Sequence, residues 1–142
     1  MMAALIVALL ENAEHAAGVT DCLTAAGYAV CVVDSFAKAM VLLESQSVDL
    51  IISDVHLSNG GSVFDFLRWV KHHPLLRTTP FILFCLQPSR LAKYLSDGVR
   101  VAAYHLGAAK YISMDTFDPA VLSAQVAELL SADASVEKSA AG

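Results

Sequence analysis

An apolar run, VDLIIS at residues 48–53, stops at Asp54 and passes directly into the polar, glycine-containing loop VHLSNGG. In open α/β sheets, ligand and reaction sites form just beyond the carboxyl ends of the strands, so a carboxylate at that junction is placed for chemistry more than for packing. The competing reading is an aspartate that only caps the next turn. Other reactive side chains fall at similar junctions: Glu11 after the first apolar run, His56 in the loop after Asp54, and Cys85 at the end of PFILFC. Cys85, His56 and Glu11 would lie at the ends of adjacent strands as nucleophile, base and orienter of an enzyme. Against that, Cys85 ends a strand rich in large apolar groups, and His56 reads more simply as an exposed loop side chain. His72 and His73 precede Pro74 at a helix end, where imidazoles favour the negative pole of the helix dipole and need no metal.

The elements that must carry these residues follow from periodicity. Residues 3–10, 29–33, 48–53, 80–85 and 109–113 are short, largely apolar runs without alternation, the pattern of parallel strands covered on both faces. Between them Val19, Cys22, Leu23 and Ala26 recur at helical spacing, as do Phe36, Ala39, Met40 and Leu43, and again Val63, Phe66, Leu67 and Val70. Gly27 is expected to close the first helix, and Asp118 with Pro119 to open the last, whose inner face is Leu122, Val126 and Leu129. Five such strand and helix units predict an α/β fold, a doubly wound, right-handed parallel sheet within residues 1–131. Residues 132–142 read as a disordered tail.

Composition narrows the function classes. The chain has 142 residues, of which 56% are hydrophobic and 16% charged, enough for one domain with a real core. A formal charge of -5 and the lack of any Lys/Arg cluster argue against nucleic acid as a partner. Cys22, Cys31 and Cys85 are odd in number and embedded in apolar segments, as expected of reduced core thiols in a cytoplasmic protein. The opening MMAALIVALLENAEH lacks a basic start, is too short to span a membrane and runs straight into acids, so it reads as the first buried strand.

The segments VDLIISD, LTAAGYAV and HLGAAKYI, taken with this element order, make the chain resemble a response-regulator receiver domain over residues 3–131. The resemblance implies the flavodoxin-like strand order 2-1-3-4-5, with the ends of the first, third, fourth and fifth strands around one pocket. It also implies a role in two-component phosphorelay signalling, with a histidine kinase or phosphotransfer protein as partner and homodimerisation as a further option. Catalytic output, membrane and nucleic acid are not expected.

Carried over position by position, the resemblance makes Asp54 the phosphoacceptor, a carboxylate that attacks a phosphoryl group. The acidic pair after the first strand falls on Leu10 and Glu11, so hydrocarbon replaces one carboxylate. Mg²⁺, which wants an oxygen shell, would then be held weakly by Glu11, Asp54, the His56 carbonyl and water. The hydroxyl position of the fourth strand falls on Cys85, and a thiol is a poor donor. The fifth-strand lysine falls on Met114, followed by Asp115 where proline is common. A lysine there would make a charge-assisted bond to phosphate worth roughly 1.5 to 3 kcal/mol, which methionine cannot make. Tyr111 matches the switch aromatic of that strand, although a packed tyrosine with a wet hydroxyl needs no such role.

Two lengths depart from the receiver pattern. Gly60 and Gly61 suggest an extra residue before the third helix, and the stretch between Cys85 and Gly107 is about seven residues longer than usual. Val99, Ala102, Ala103 and Leu106 keep the inner period of the fourth helix, which puts the extra length upstream of it or in its first turns. The added Tyr94 and Tyr104 suit a partner contact on the face of the fourth helix, fifth strand and fifth helix; a tolerated surface insertion would look the same. DVHLSNG is also a near miss for the D-x-H-x-x-G pattern of cobalamin-binding domains, with its glycine one place late and after the wrong strand. These features together define an atypical or pseudo-receiver, in which Asp54 is phosphorylated slowly or the domain binds its partner independently of phosphorylation.

Overall fold

The computed structural model describes residues 3–55, 62–87 and 90–141. Strands and helices alternate as β1 Leu5–Leu9, α1 Ala13–Ala25, β2 Ala29–Val33, α2 Phe36–Ser45, β3 Leu50–Asp54, α3 Val63–His72, β4 Phe81–Leu86, α4 Arg90–His105, β5 Lys110–Met114 and α5 Pro119–Ala141. The strands form one parallel sheet in the order β2-β1-β3-β4-β5, the flavodoxin-like order expected above. All five strands therefore point their carboxyl ends to the same edge.

Local chemistry explains the boundaries. The Asn12 side chain accepts from the backbone N–H of Glu14 and His15, and Ser35, Ser62 and Asp118 serve α2, α3 and α5 in the same way. Gly27 closes α1 at φ 98°, with its N–H donating to Thr24 and that of Tyr28 to Leu23, a Schellman ending that a side chain would strain. Gly107 closes α4 in the same way at φ 106°, with the N–H of Ala108 donating to Ala103.

Two apolar layers hold the sheet. On one face Val7, Leu9, Ile51 and Leu83 meet Leu43 of α2, Phe66, Leu67 and Val70 of α3, and Ala103 of α4. On the other, Ile6, Ala8, Ile52, Phe84 and Ile112 meet Val19 and Leu23 of α1 and Leu122 and Val126 of α5. Most of β1, β3 and β4 is buried on both faces, but β2 lies at the sheet edge and exposes Ala29 and Val32. The uniform apolar run AVCVV hides that difference, because a run on an edge strand reads like one at the centre. Ala26 is exposed, since it is the residue that ends α1 rather than part of its inner stripe.

α4 is the longer helix, with 16 residues against 10 in α2 and in α3. The bounds of α5 run from Pro119 to Ala141. The Gly60-Gly61 expectation lies outside the described residues.

Candidate functional site at the carboxyl edge of the sheet

Asp54 is the last residue of β3, half-buried, and lies opposite Phe84 in the β3/β4 ladder. One residue further along β4, Cys85 lies opposite Ser113 of β5, and Leu86 opposite Met114. On the other side Leu9 lies opposite Ser53, so Leu10 and the half-buried Glu11 continue the chain at the level of Asp54. The residues singled out from sequence at positions 10, 11, 54, 85 and 114 thus share one edge of the sheet. His56 lies outside the described residues.

Three residues set the character of this edge. Leu10 is 3% exposed and Met114 8%, and both belong to the apolar layer of Ile6, Ile52, Phe84 and Ile112. Met114 is further held by its sulfur, which accepts the N–H of Asp118 at 3.4 Å. Cys85 is 6% exposed and packs into the opposite layer. Burial pushes its thiol up from the ordinary range, and the neighbouring Asp54 charge adds to the effect. Tyr111 is half-buried; its hydroxyl is also pushed up, first by burial and then by Cys85, while Arg100 acts in the opposite sense. Asp54, Cys85 and Tyr111 therefore form one electrostatic neighbourhood.

A thiol held in its protonated form is a poor nucleophile. Cys85 is expected to react with iodoacetamide after the half-buried Cys31, as read by mass spectrometry of the labelled peptides. Asp54→Asn removes the charge that opposes thiolate formation and should speed labelling of Cys85. First labelling at Cys85, unchanged by the substitution, would contradict this account.

Glu11 and Asp54 supply carboxylates, but among the described residues no group of three or more His, Cys, Asp and Glu side chains could hold a metal ion. Mg²⁺ prefers a near-octahedral oxygen shell, so two protein carboxylates suit a weakly bound, mostly hydrated ion.

Away from Asp54, polar contacts tie α4 to β5 and to the turn after it. The N–H of Tyr111 donates to the Tyr104 hydroxyl at 3.1 Å, and Lys93 pairs with Asp115 at 2.8 Å. A recess of about 280 Å³ lies between Tyr104, Tyr111, Ser113, Val121 and Gln125. On α4, Tyr94 is 84% exposed and Val101 65% exposed. Sequence reasoning missed Gln87, which follows β4 and adopts φ 54°, a value no signal around a glutamine announces.

Known structures share this architecture. The signal receiver domain of a signal transduction histidine kinase from Syntrophus aciditrophicus matches with a TM-score of 0.75 at 28% identity, with 92% of each chain covered. The chemotaxis response regulator CheY4 of Vibrio cholerae gives a TM-score of 0.75 at 21% identity, covering 91% of this chain and 100% of its own. The receiver domain of a sensor histidine kinase from Pseudomonas aeruginosa, solved with a magnesium ion coordinated in its active-site cleft, gives 0.75 at 19% identity, covering 91% and 98%. No protein-family model matches the sequence, and no curated protein does. The fold is that of the response-regulator receiver domain. Among the described residues, no helix is long and apolar enough to cross a membrane.

Proposed function

We propose that this chain is an atypical receiver domain of two-component signalling that works by binding a protein partner through the face of α4, β5 and α5, without a phosphorylation-driven change of shape. The observation that carries this reading is the burial of Leu10, Cys85 and Met114 at the three positions where a receiver places a carboxylate, a hydroxyl and an ammonium. A phosphoryl group on Asp54 would meet hydrocarbon, a weak donor and a thioether. None of these offers the charge or strong hydrogen bonds that stabilise phosphoryl transfer and then close the pocket on the product. The exposed Tyr94, Val101 and Tyr104 on α4 supply apolar and aromatic surface suited to a protein contact. An enzyme built on Cys85 is disfavoured, because burial and Asp54 both hold the thiol protonated.

A second reading keeps Asp54 as phosphoacceptor for a histidine kinase or phosphotransfer partner. It is favoured by the placement of Asp54 and Glu11 at the ends of neighbouring strands. Those two carboxylates are the residues that would hold Mg²⁺, and the ion would supply positive charge to a bound phosphoryl group. The two readings separate in an amide NMR titration with Mg²⁺ and then beryllofluoride, a mimic of aspartyl phosphate, on wild type and Asp54→Asn. Phosphorylation-independent binding predicts no shifts at Tyr111 or along α4. Shifts that spread from Asp54 to Tyr111 and α4, and vanish in Asp54→Asn, would replace that reading with the second.

A further inference from the structure

β2 is the outermost strand of the sheet, and its sequence AVCVV carries no lysine, proline or other device that keeps a free edge from pairing. The ladder to β1 fixes which backbone groups face that edge. The Ala29 N–H donates to the Ala4 carbonyl, the Val33 carbonyl accepts from Leu10, and Leu5 to Leu9 pair in register with Ala29 to Val33. Ala29, Cys31 and Val33 thus turn both backbone groups toward β1, and the N–H and carbonyl of Val30 and Val32 point outward. Beside this edge runs an apolar groove of about 470 Å³ between β2 and α2, lined by Cys31, Val33, Ala37, Val41 and Leu42. Val41 is 72% exposed on its rim. The charge in its wall, Lys38, is joined to Asp34 at 2.9 Å.

From this geometry we infer that β2 pairs antiparallel with β2 of a second copy of this chain, across a two-fold axis at Cys31. The register is self-complementary. Val30 lies opposite Val32 of the second copy, and in each of these pairs the outward N–H groups and carbonyls exchange both hydrogen bonds. Cys31 then faces its own copy as a non-hydrogen-bonded pair, with Cα atoms about 4.5 Å apart. The axis stands perpendicular to the joined sheet, so the two α2 helices lie on one face, antiparallel, and Val41 of each covers the groove of the other. Charge fits this arrangement. α2 runs against the direction of β2, which puts Lys38 toward the carboxyl end of the strand and Glu44 toward its amino end. The two-fold therefore sets Lys38 beside Glu44 and the negative helix end of the second copy, although the chain as a whole carries a charge of -5. β5 forms the opposite edge of the sheet, so both copies keep their α4, β5 and α5 faces open. The pairing goes beyond the receiver role and holds whether or not Asp54 is phosphorylated.

Sedimentation equilibrium of the wild type, Val32→Pro and Val41→Lys tests the pairing, with circular dichroism to check folding. Proline at position 32 removes an outward N–H without touching the β1 ladder, a placement that edge strands accept. Lysine at the exposed position 41 leaves the single copy intact and sets two like charges across the axis. The wild type should be a dimer at micromolar concentration. Each variant should weaken it roughly tenfold or more, for Val32→Pro the effect of one hydrogen bond lost from each copy. Diamide, an oxidant that takes up the two electrons and two protons released when two thiols form a disulfide, should link Cys31 to Cys31, since the pair lies within the Cα range of about 4.4–6.8 Å that a disulfide spans. Peptide mass spectrometry reads that link. Cys31→Ser should lose the link and remain a dimer, because the bond reports the pairing and does not create it. A monomeric wild type, a dimer that either variant leaves at full strength, or diamide products without the Cys31 to Cys31 link would overturn the inference.

Discussion

Phe66→Ala is expected to lower the unfolding free energy by about 3–5 kcal/mol, the usual cost of removing a buried phenylalanine whose surroundings cannot collapse into the space. Phe66 is 1% exposed and meets three other rings: Phe36 of α2 at 5.2 Å, Phe81 of β4 at 5.7 Å and Trp69 of α3 at 6.2 Å. Its removal would leave a cavity lined by side chains from three elements, each fixed by contacts elsewhere. Domains of this size are stable by only about 5–15 kcal/mol, so roughly a fifth or more of the total is at stake. Urea titration should show a lower midpoint with an unchanged slope. A loss below about 1.5 kcal/mol would mean that α2 and α3 relax onto β4 and that this layer is less rigid than its ring contacts imply.

The same residue illustrates how much of the fold is legible in the amino-acid sequence. Phe66 belongs to the Val63, Phe66, Leu67 and Val70 stripe, and all four are buried. Apolar period and strand length place β3 to within a residue of its end at Asp54, which is why the candidate edge is legible too. Exposure at the sheet edge is not, because AVCVV carries no mark of lying outermost. Leu10 and Met114 stand out as departures from a receiver pattern. That they share one apolar layer across the edge of the sheet does not, since they are far apart in the chain and meet only through strand pairing. The turn at Gln87 is invisible for a related reason. Gln87 has no preference for positive φ, and His15 reaches it across 72 residues of chain.

Leu10→Asp is the substitution with the largest expected effect on the site itself. It returns a carboxylate to the position where the receiver pattern has one, but into the layer that holds Met114, Phe84 and Ile112 and beside the acids Glu11 and Asp54. Without a cation, an unpaired buried charge among like charges should destabilise the fold by about 3–5 kcal/mol, comparable to breaking a buried ion pair. With Mg²⁺ the balance changes, because a third carboxylate completes a better oxygen set and the ion binds only the folded edge. At an ion concentration of about 100 times Kd, mass action returns about 2.7 kcal/mol. Thermal melts should therefore depend strongly on Mg²⁺ in the variant and little in the wild type. Adding Met114→Lys should recover part of the loss without the ion, since an ammonium from the end of β5 can offset the new charge; neighbouring sites of this kind couple by about 0.5–3 kcal/mol. A Leu10→Asp protein as stable as wild type and indifferent to Mg²⁺ would show that the edge is wet at Leu10, and the hydrocarbon seal that underlies the phosphorylation-independent reading would have to be abandoned.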